Sequence, residues 1–234
     1  MPCPYLPGRF ERKLVTELRG PEANGVHDLL SRAGFRRSHS IAYLPACSDC
    51  NACVPVRVSC ADFKPGRSFR RIQAKNDDIV RSIVPASATQ EQFQLFSTYQ
   101  DARHGNGDMA RMDARDYRAM VEDSTIDTSI FEYRRPDGSL IAVALVDNLS
   151  DGLSAVYSFF DPKEHKRCLG TYIILDLIAE AQAFEFPHIY LGYWISDCRK
   201  MSYKMRFQPL EGFKNGRWEI MSEDATQARP NGSS

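Results

Sequence analysis

Three short stretches concentrate the side chains able to do chemistry. In ACSDCNAC, Cys47, Cys50 and Cys53 recur at Cys-x2-Cys-x2-Cys spacing, and thiolates this close can ligate zinc or part of an iron-sulfur cluster. No second Cys-x2-Cys pair and no histidine at finger spacing accompanies them, so a fourth ligand would have to come from Cys60 or Cys3 through the fold. The competing reading is a tight turn of reduced thiols packed as small apolar groups. From Arg57 to Lys75 the cations Arg57, Lys64, Arg67, Arg70, Arg71 and Lys75 stand against the acid Asp62, with Phe63 and Phe69 interleaved. On a helix Arg67, Arg70 and Arg71 share one face. Guanidinium groups so placed grip RNA phosphates or a carboxylate through bidentate bonds, or form a solvated face paired with Asp77 and Asp78. The third stretch, YLGYWISDCRKMSYKMRFQP, sets Tyr190, Tyr193, Trp194 and Tyr203 beside Arg199, Lys200, Lys204 and Arg206. Aromatics next to cations suit a nucleobase stacked between rings with its phosphates held nearby, although an alternating strand buries one of its faces.

These residues need elements to place them. NGVHDLLSRAGF reads as a short helix with Asn24 as N-cap and Gly34 just past its end. HSIAYLP and VPVRVSC read as strands on either side of the cysteine loop, and RSFRRIQAKN as a basic helix. Helices are also expected over Thr89 to Arg103 and near Asp113 to Val121. From Ile126 the pattern turns β-rich: SIFEYRR and LIAVALVDNL joined by Pro136-Asp137-Gly138 form a hairpin signal, and LSAVYSFFDP a third strand. Gly170 to Glu185 is helical, with Ile174, Leu177, Ile178, Ala181 and Phe184 on one stripe. HIYLGYW is a further strand, RKMSYKMRF a short helix, and Phe213 to Met221 a final strand pair. This ordering implies an α/β sheet of the N-acyltransferase kind, with a crevice where the chain splays. In that fold the turn HKRCLGTY occupies the pyrophosphate loop, Arg/Gln-x-x-Gly-x-Gly/Ala. Arg167 and Gly170 fit that loop, but Tyr172 does not, and its ring is expected to obstruct a coenzyme A cradle.

Composition narrows the classes. With 234 residues, Lys+Arg and Asp+Glu at 30 each and 43% hydrophobic residues, the chain can bury a core without staples and carries no global field toward polyanions. Any polyanion site is local. The start lacks the apolar stretch of a signal peptide and no run approaches the roughly 20 apolar residues of a membrane span, so a cytoplasmic protein with reduced or metal-bound thiols is expected. The polar end, residues 222–234, has nothing apolar to bury and is expected to be a disordered tail.

PCPYLPGRFER at the start, YLPACSDCNACVPVRV with FKPGRSFRR in the middle, and YSFFDP, LGTYIILDLI and YLGYWISDCRKMSYK late together resemble the bacterial aspartate/glutamate leucyltransferases, relatives of the arginyl-tRNA-protein transferases. The resemblance implies an α/β fold with a GNAT-like sheet in the C-terminal half, residues 76–221, and a smaller cysteine-containing α+β module over residues 1–75. It implies transfer of a leucyl group from leucyl-tRNA to the N-terminal amine of proteins beginning with Asp or Glu, marking them as N-degrons, or the same transfer from arginyl-tRNA. Two readings compete with it. A non-catalytic tRNA-binding module explains the cations and thiols but not the acyltransferase ordering, and an acetyl-CoA N-acetyltransferase conflicts with Tyr172.

The chemistry then asks little of the protein. The aminoacyl ester is already activated and an N-terminal amine has a reference pKa near 7.7 to 8.0, so a neutral fraction is available and no covalent nucleophile or cofactor is required. The enzyme must position amine against ester, accept a proton and stabilise the oxyanion. Tyr157, Tyr193 and Tyr203 are candidates for orienting the reacting groups, and Asp161 for accepting the proton through water. Trp194 is a candidate stacking ring, and Arg57, Arg67, Arg71, Lys200 and Lys204 are candidates to read the acceptor's acidic side chain.

Overall fold

The computed structural model describes residues 1–104 and 107–222. In chain order the elements are β1 (Lys13–Glu17), α1 (Ala23–Arg32), β2 (Arg36–Ser38), β3 (Ile41–Pro45), β4 (Val54–Ser59), α2 (Arg67–Ala74), β5 (Val80–Pro85), α3 (Gln90–His104) and α4 (Ala114–Glu122). There follow β6 (Thr128–Arg134), β7 (Leu140–Leu149), β8 (Gly152–Phe160), α5 (Leu169–Ala183), β9 (His188–Trp194), β10 (Leu210–Lys214) and β11 (Arg217–Ile220). Short 3-10 turns precede α5 (Pro162–Arg167) and follow β9 (Arg199–Arg206). The elements expected from periodicity form; β1, β2 and β5, which are short or lie at sheet edges, carry no clear signal of their own.

The strands make two sheets, a three-stranded one in the order β1-β3-β2 and an eight-stranded one in the order β11-β10-β4-β9-β8-β7-β6-β5. Within the large sheet β8 and β9 are parallel, joined by the crossover helix α5, and the other neighbours are antiparallel. This is a mixed α/β sheet with one parallel pair. The run LIAVALV of β7 is unbroken because both its faces are covered: Ala142, Ala144 and Val146 join the core under α5 and α2, and Val143 and Leu145 the core under α3 and α4. The hairpin between β6 and β7 turns at Gly138, whose φ of +87° is cheap only for glycine.

The large sheet runs across the boundary expected after residue 75. β4 pairs with both β9 and β10, so this early strand lies inside the sheet, and Phe69 and Ile72 of α2 are buried in the same core as α5. What stands apart early in the chain is the small sheet with α1. It is tied to the large one by a buried charge cluster: Asp147 on β7 accepts from Arg37 Nε and Nη2, each at 2.7 Å, and from the Thr128 hydroxyl at 2.8 Å, with His27 Nε2 at 3.0 Å. Asn24 does not cap α1, which starts one residue earlier, at Ala23, with Glu22 as its N-cap; its side chain accepts from the Asp127 amide at 2.7 Å instead. Of the tail set apart in the sequence, residues 223–234 lie outside the described residues.

Candidate active site

The site arises where two parallel strands part. β8 and β9 are in register only from Gly152 to Ser154 against His188 to Tyr190, and beyond that they splay. Splaying strands leave carbonyls without ladder partners, which must be satisfied some other way. Arg36, on β2 of the small sheet, supplies the donors: Nη2 gives hydrogen bonds to Ala155 O at 3.1 Å and Val156 O at 2.9 Å, and Nη1 to Leu191 O at 3.5 Å. The guanidinium occupies the space beside Gly192, which has a φ of +75° and where a Cβ would lie 1.5 Å from Arg36 Nη1. The wedge and the glycine require each other.

Above that wedge opens a cleft of about 640 Å³. One wall is apolar, made by Ala144, Ala155, Leu169, Ile173, Ile174 and Leu191. The other is polar, with Tyr157, Arg103, Glu164 and His165, and the turn after β9 brings in Lys200, Tyr203 and Lys204. Cys168, in the left-handed conformation at φ +55°, leads into α5, so the positive helix terminus opens on the cleft through Leu169, Gly170 and Thr171.

The sequence candidates divide sharply. Tyr157, Tyr203, Lys200 and Lys204 meet on the cleft wall. The Tyr157 hydroxyl accepts a 2.6 Å hydrogen bond from Gln100 Nε2, and burial pushes its pKa up to about 12, keeping the proton on the ring. Tyr203 keeps 40% of its surface open. Lys204 is 5% exposed, donates to the backbone oxygen of Tyr193, and is held down to about 7 first by burial and then by the charge of Arg36.

The remaining candidates lie elsewhere. Asp161 is the cap of the 3-10 turn after β8, accepting from the Lys163 amide at 2.9 Å and facing Arg135 at 3.4 Å, and is not on the cleft wall. Tyr193 donates to Tyr43 O at 2.9 Å and clamps the small sheet onto β9. Trp194 is buried in the core at 5% exposure, where no base can stack on it. Arg57 is spent on Glu211 at 2.6 Å, the Tyr190 hydroxyl at 3.2 Å and the face of Trp218. Arg67 and Arg71 lie exposed on α2 and outside the cleft. Tyr172 is also placed otherwise than expected: its ring packs edge-on against Tyr133, away from the cleft, and obstructs nothing there.

Sequence comparison decides the family. The model for the N terminus of arginine-tRNA-protein transferase matches residues 1–71, and the model for its C terminus matches residues 91–214. The chain is 57% identical to the aspartate/glutamate leucyltransferase of Paramagnetospirillum magneticum, over 94% of this chain and 90% of that protein. It is 55% identical to that of Gluconacetobacter diazotrophicus, over 96% and 86%, and 53% to that of Granulibacter bethesdensis, over 98% and 88%. The chain belongs to the arginine-tRNA-protein transferase family. Among solved structures this aminoacyltransferase is similar to L-PGS from Bacillus licheniformis, at 10% identity and a TM-score of 0.47, over 61% of this chain and 45% of that one.

Four thiols of the transferase gather away from the cleft, whereas Cys168 lines it. Cys3, Cys47, Cys50 and Cys53 line one small cavity, closed on one side by Tyr43 and Tyr193. Burial, followed by the neighbouring Cys3, Cys50 and Cys47 thiols, raises Cys53 to about 11. The Arg12 amide donates to Cys47 Sγ at 3.4 Å. Of the two fourth ligands considered from sequence, Cys3 joins the cavity, whereas Cys60 is fully buried in the main core. Among the described residues no three such donors stand in metal-ligand geometry. By its chemistry a set of four thiols suits a soft ion.

Arg36 is the site residue that sequence reasoning missed. It sits in a three-residue strand with no motif, and its importance depends on strands more than a hundred residues later.

Proposed function

We propose that the β8/β9 cleft transfers the leucyl group of leucyl-tRNA to the α-amine of proteins beginning with Asp or Glu. The observation that carries this reading is the cleft itself: its lining combines apolar side chains, able to take a leucyl group, with tyrosine hydroxyls, exposed cations and the buried Lys204. The names of the relatives, at more than half identity over nearly their whole length, support the same substrates.

The reaction follows from the ester's activation. The neutral amine attacks the leucyl carbonyl, the tetrahedral oxyanion collapses, and the ribose hydroxyl of the tRNA leaves with a proton. Tyr157 and Tyr203 orient the amine and the ribose; both pKa values are raised by burial, so both act as neutral hydrogen-bonding groups. The α5 terminus and the cleft cations favour the developing negative charge. The tRNA body lies outside, along α2. Arg67, Arg70 and Arg71 form its exposed basic face, and its end abuts the cleft rim, where Lys75 Nζ donates to Lys166 O at 3.4 Å and Asn76 Nδ2 to Arg167 O at 2.9 Å. Such a stripe neutralises phosphates without reading bases.

No cofactor enters the transfer. Zinc or an iron-sulfur cluster at Cys3, Cys47, Cys50 and Cys53 would serve to tie the first residues to the cysteine loop, replacing four crowded thiols by charge-neutralised thiolates. We place the reaction in the cytoplasm, where charged tRNA is available; no described helix is long and apolar enough to cross a membrane.

The test is direct. Purified protein is incubated with an Asp-starting peptide and leucyl-tRNA, arginyl-tRNA or acetyl-CoA. Leucine is expected on the peptide with the first donor alone, and transfer from acetyl-CoA, or from none of the three, would refute the reading.

A further inference from the structure

The cations of this molecule are paired with carboxylates almost wherever they are drawn into it. Arg37 meets Asp147, Arg57 meets Glu211, Arg81 meets Glu180, Arg135 meets Glu164 and Arg167 meets Asp78. The cleft floor breaks this habit. Among the described residues Arg36 gives its hydrogen bonds to backbone carbonyls and Lys204 gives one to the Tyr193 carbonyl, and neither has an ion-pair partner. Glu164 is the carboxylate on the cleft wall, and it is already held by Arg135 at 2.6 Å and Arg167 at 3.1 Å. Lys204 is buried and Arg36 half-buried, both line the cleft, and the Arg36 charge acts on Lys204 with no counter-charge on either among the described residues. Burying a charge in this way is costly unless an anion completes the site.

The anion must reach Lys204, which lines the cleft and is nearly closed off from solvent. A tRNA phosphate, flanked by ribose on both sides, belongs to an open groove; a carboxylate on a short, flexible side chain fits the depth. We propose that Lys204, positioned beside Arg36, reads the side-chain carboxylate of the acceptor's first residue. This rests on the leucyl-transfer reading above and assigns its acceptor specificity to one ammonium. A neutral amide at the same place would leave the two cations unpaired, so Asn and Gln are rejected by electrostatics.

A consequence separates this role from mere packing. Burial and the Arg36 charge hold the free ammonium near neutrality, at about 7, and a bound carboxylate raises it again. Acceptor binding is therefore coupled to proton uptake, and the KM for an Asp-starting peptide rises as pH climbs past about 7. Arg36 and Cys198 act on Lys204 directly; across the cleft stand Tyr157 on β8, Arg103 on α3, and Glu164 and His165 on the turn before α5.

The experiment compares the wild type with Lys204→Met and Lys204→Arg on four peptides that begin with Asp, Glu, Asn or Gln, under saturating leucyl-tRNA. The expected result is a KM for Asp and Glu peptides raised at least about tenfold in Lys204→Met, with the Asp-to-Asn preference collapsing toward unity. Lys204→Arg retains the preference and loses the rise of KM above neutral pH, because guanidinium does not titrate there. A Lys204→Met enzyme with lower kcat on every peptide and unchanged acceptor KM would overturn the proposal, as would a KM change confined to the tRNA. If Lys204→Met fails to fold, a wild-type KM that stays flat from pH 6 to 9 refutes it and a rise that Lys204→Arg abolishes supports it. A wild type that transfers no leucine to the Asp peptide would instead refute the reading on which the proposal rests.

Discussion

Gly192 shows how one missing side chain can hold a site open. At φ +75° and with Arg36 Nη1 where its Cβ would be, alanine there would be strained and would evict the guanidinium that satisfies the splayed strands. Gly192→Ala is expected to lower stability by about 1–3 kcal/mol, read as a shift in the denaturant midpoint, and to abolish transfer. Tyr157 and Asp161 make a paired test of the cleft boundary. Tyr157→Phe removes a cleft hydroxyl and should reduce kcat about tenfold, the worth of one hydrogen bond made in the transition state, whereas Asp161→Asn should leave kcat within about twofold. A kcat loss larger for Asp161→Asn than for Tyr157→Phe would move the chemistry to the turn that follows β8. Asp147 is the residue on which the two sheets lean. Although burial raises its pKa, hydrogen bonds and charge from His27 and Arg37 outweigh it and hold its carboxyl below the usual range. A depressed acid stabilises the fold above its unfolded pKa and loses that contribution as pH falls through the folded value, so this linkage is intact at neutral pH and fails below about 3.8. Asp147→Asn leaves Arg37 buried without its charge and should cost about 3–5 kcal/mol at pH 7, seen as a lowered Tm whose difference from the wild type shrinks in acid.

At the scale of elements, α2 is amphipathic in a way that separates two tasks. Phe69 and Ile72 anchor it in the core, with Phe69 stacked 4.9 Å from Phe207, while Arg67, Arg70 and Arg71 face solvent. Surface cations contribute little to stability. Arg67→Glu with Arg71→Glu should therefore leave Tm nearly unchanged while raising the KM for leucyl-tRNA and flattening its dependence on salt. Steady-state kinetics at 50 and 200 mM salt check both. An unchanged tRNA KM would exclude α2 from the donor's path. The acceptor peptide, held in the cleft, should be indifferent to the same change.

The molecule as a whole joins its two sheets at the same places that make it an enzyme. Arg36 comes from the small sheet and completes the cleft of the large one, and the Tyr193 hydroxyl binds the small sheet's Tyr43 carbonyl while its own carbonyl holds Lys204. Loosening the small sheet should then reach the cleft. Cys53 lies at that seam, in the thiol cavity closed by Tyr43 and Tyr193. Cys53→Ser is expected to lower Tm and, measured on the folded fraction, to reduce leucyl transfer several-fold. Metal analysis of anaerobically prepared wild type beside this variant tests the thiol site: zinc or iron present at stoichiometry in the first and lost in the second identifies a structural ion.

What could be read along the chain was whatever depends on near neighbours. The stripe of α5 from Ile174 to Ala181, though not the exposed Phe184 expected to extend it, the Pro136-Asp137-Gly138 hairpin and the strands of the large sheet other than β5 follow from periodicity and turn chemistry within a few residues, and the long motifs carried the family. Side chains of the right type were also visible, so Tyr157, Lys200, Tyr203 and Lys204 could be named beforehand. Their rejection or acceptance was not visible, because it depends on faces and partners set by distant pairing. The pairing of β4 with β9 and β10 consigns Arg57 to Glu211, and burial removes Trp194 from any ligand. Arg36 had no local mark at all. It matters only because β8 and β9 part after three paired residues, and the carbonyls freed there need a donor that the fold brings from β2. Local order fixes how each segment folds; which charges end up buried together, and thus what the cleft can bind, is decided only when segments far apart in the chain are packed against one another.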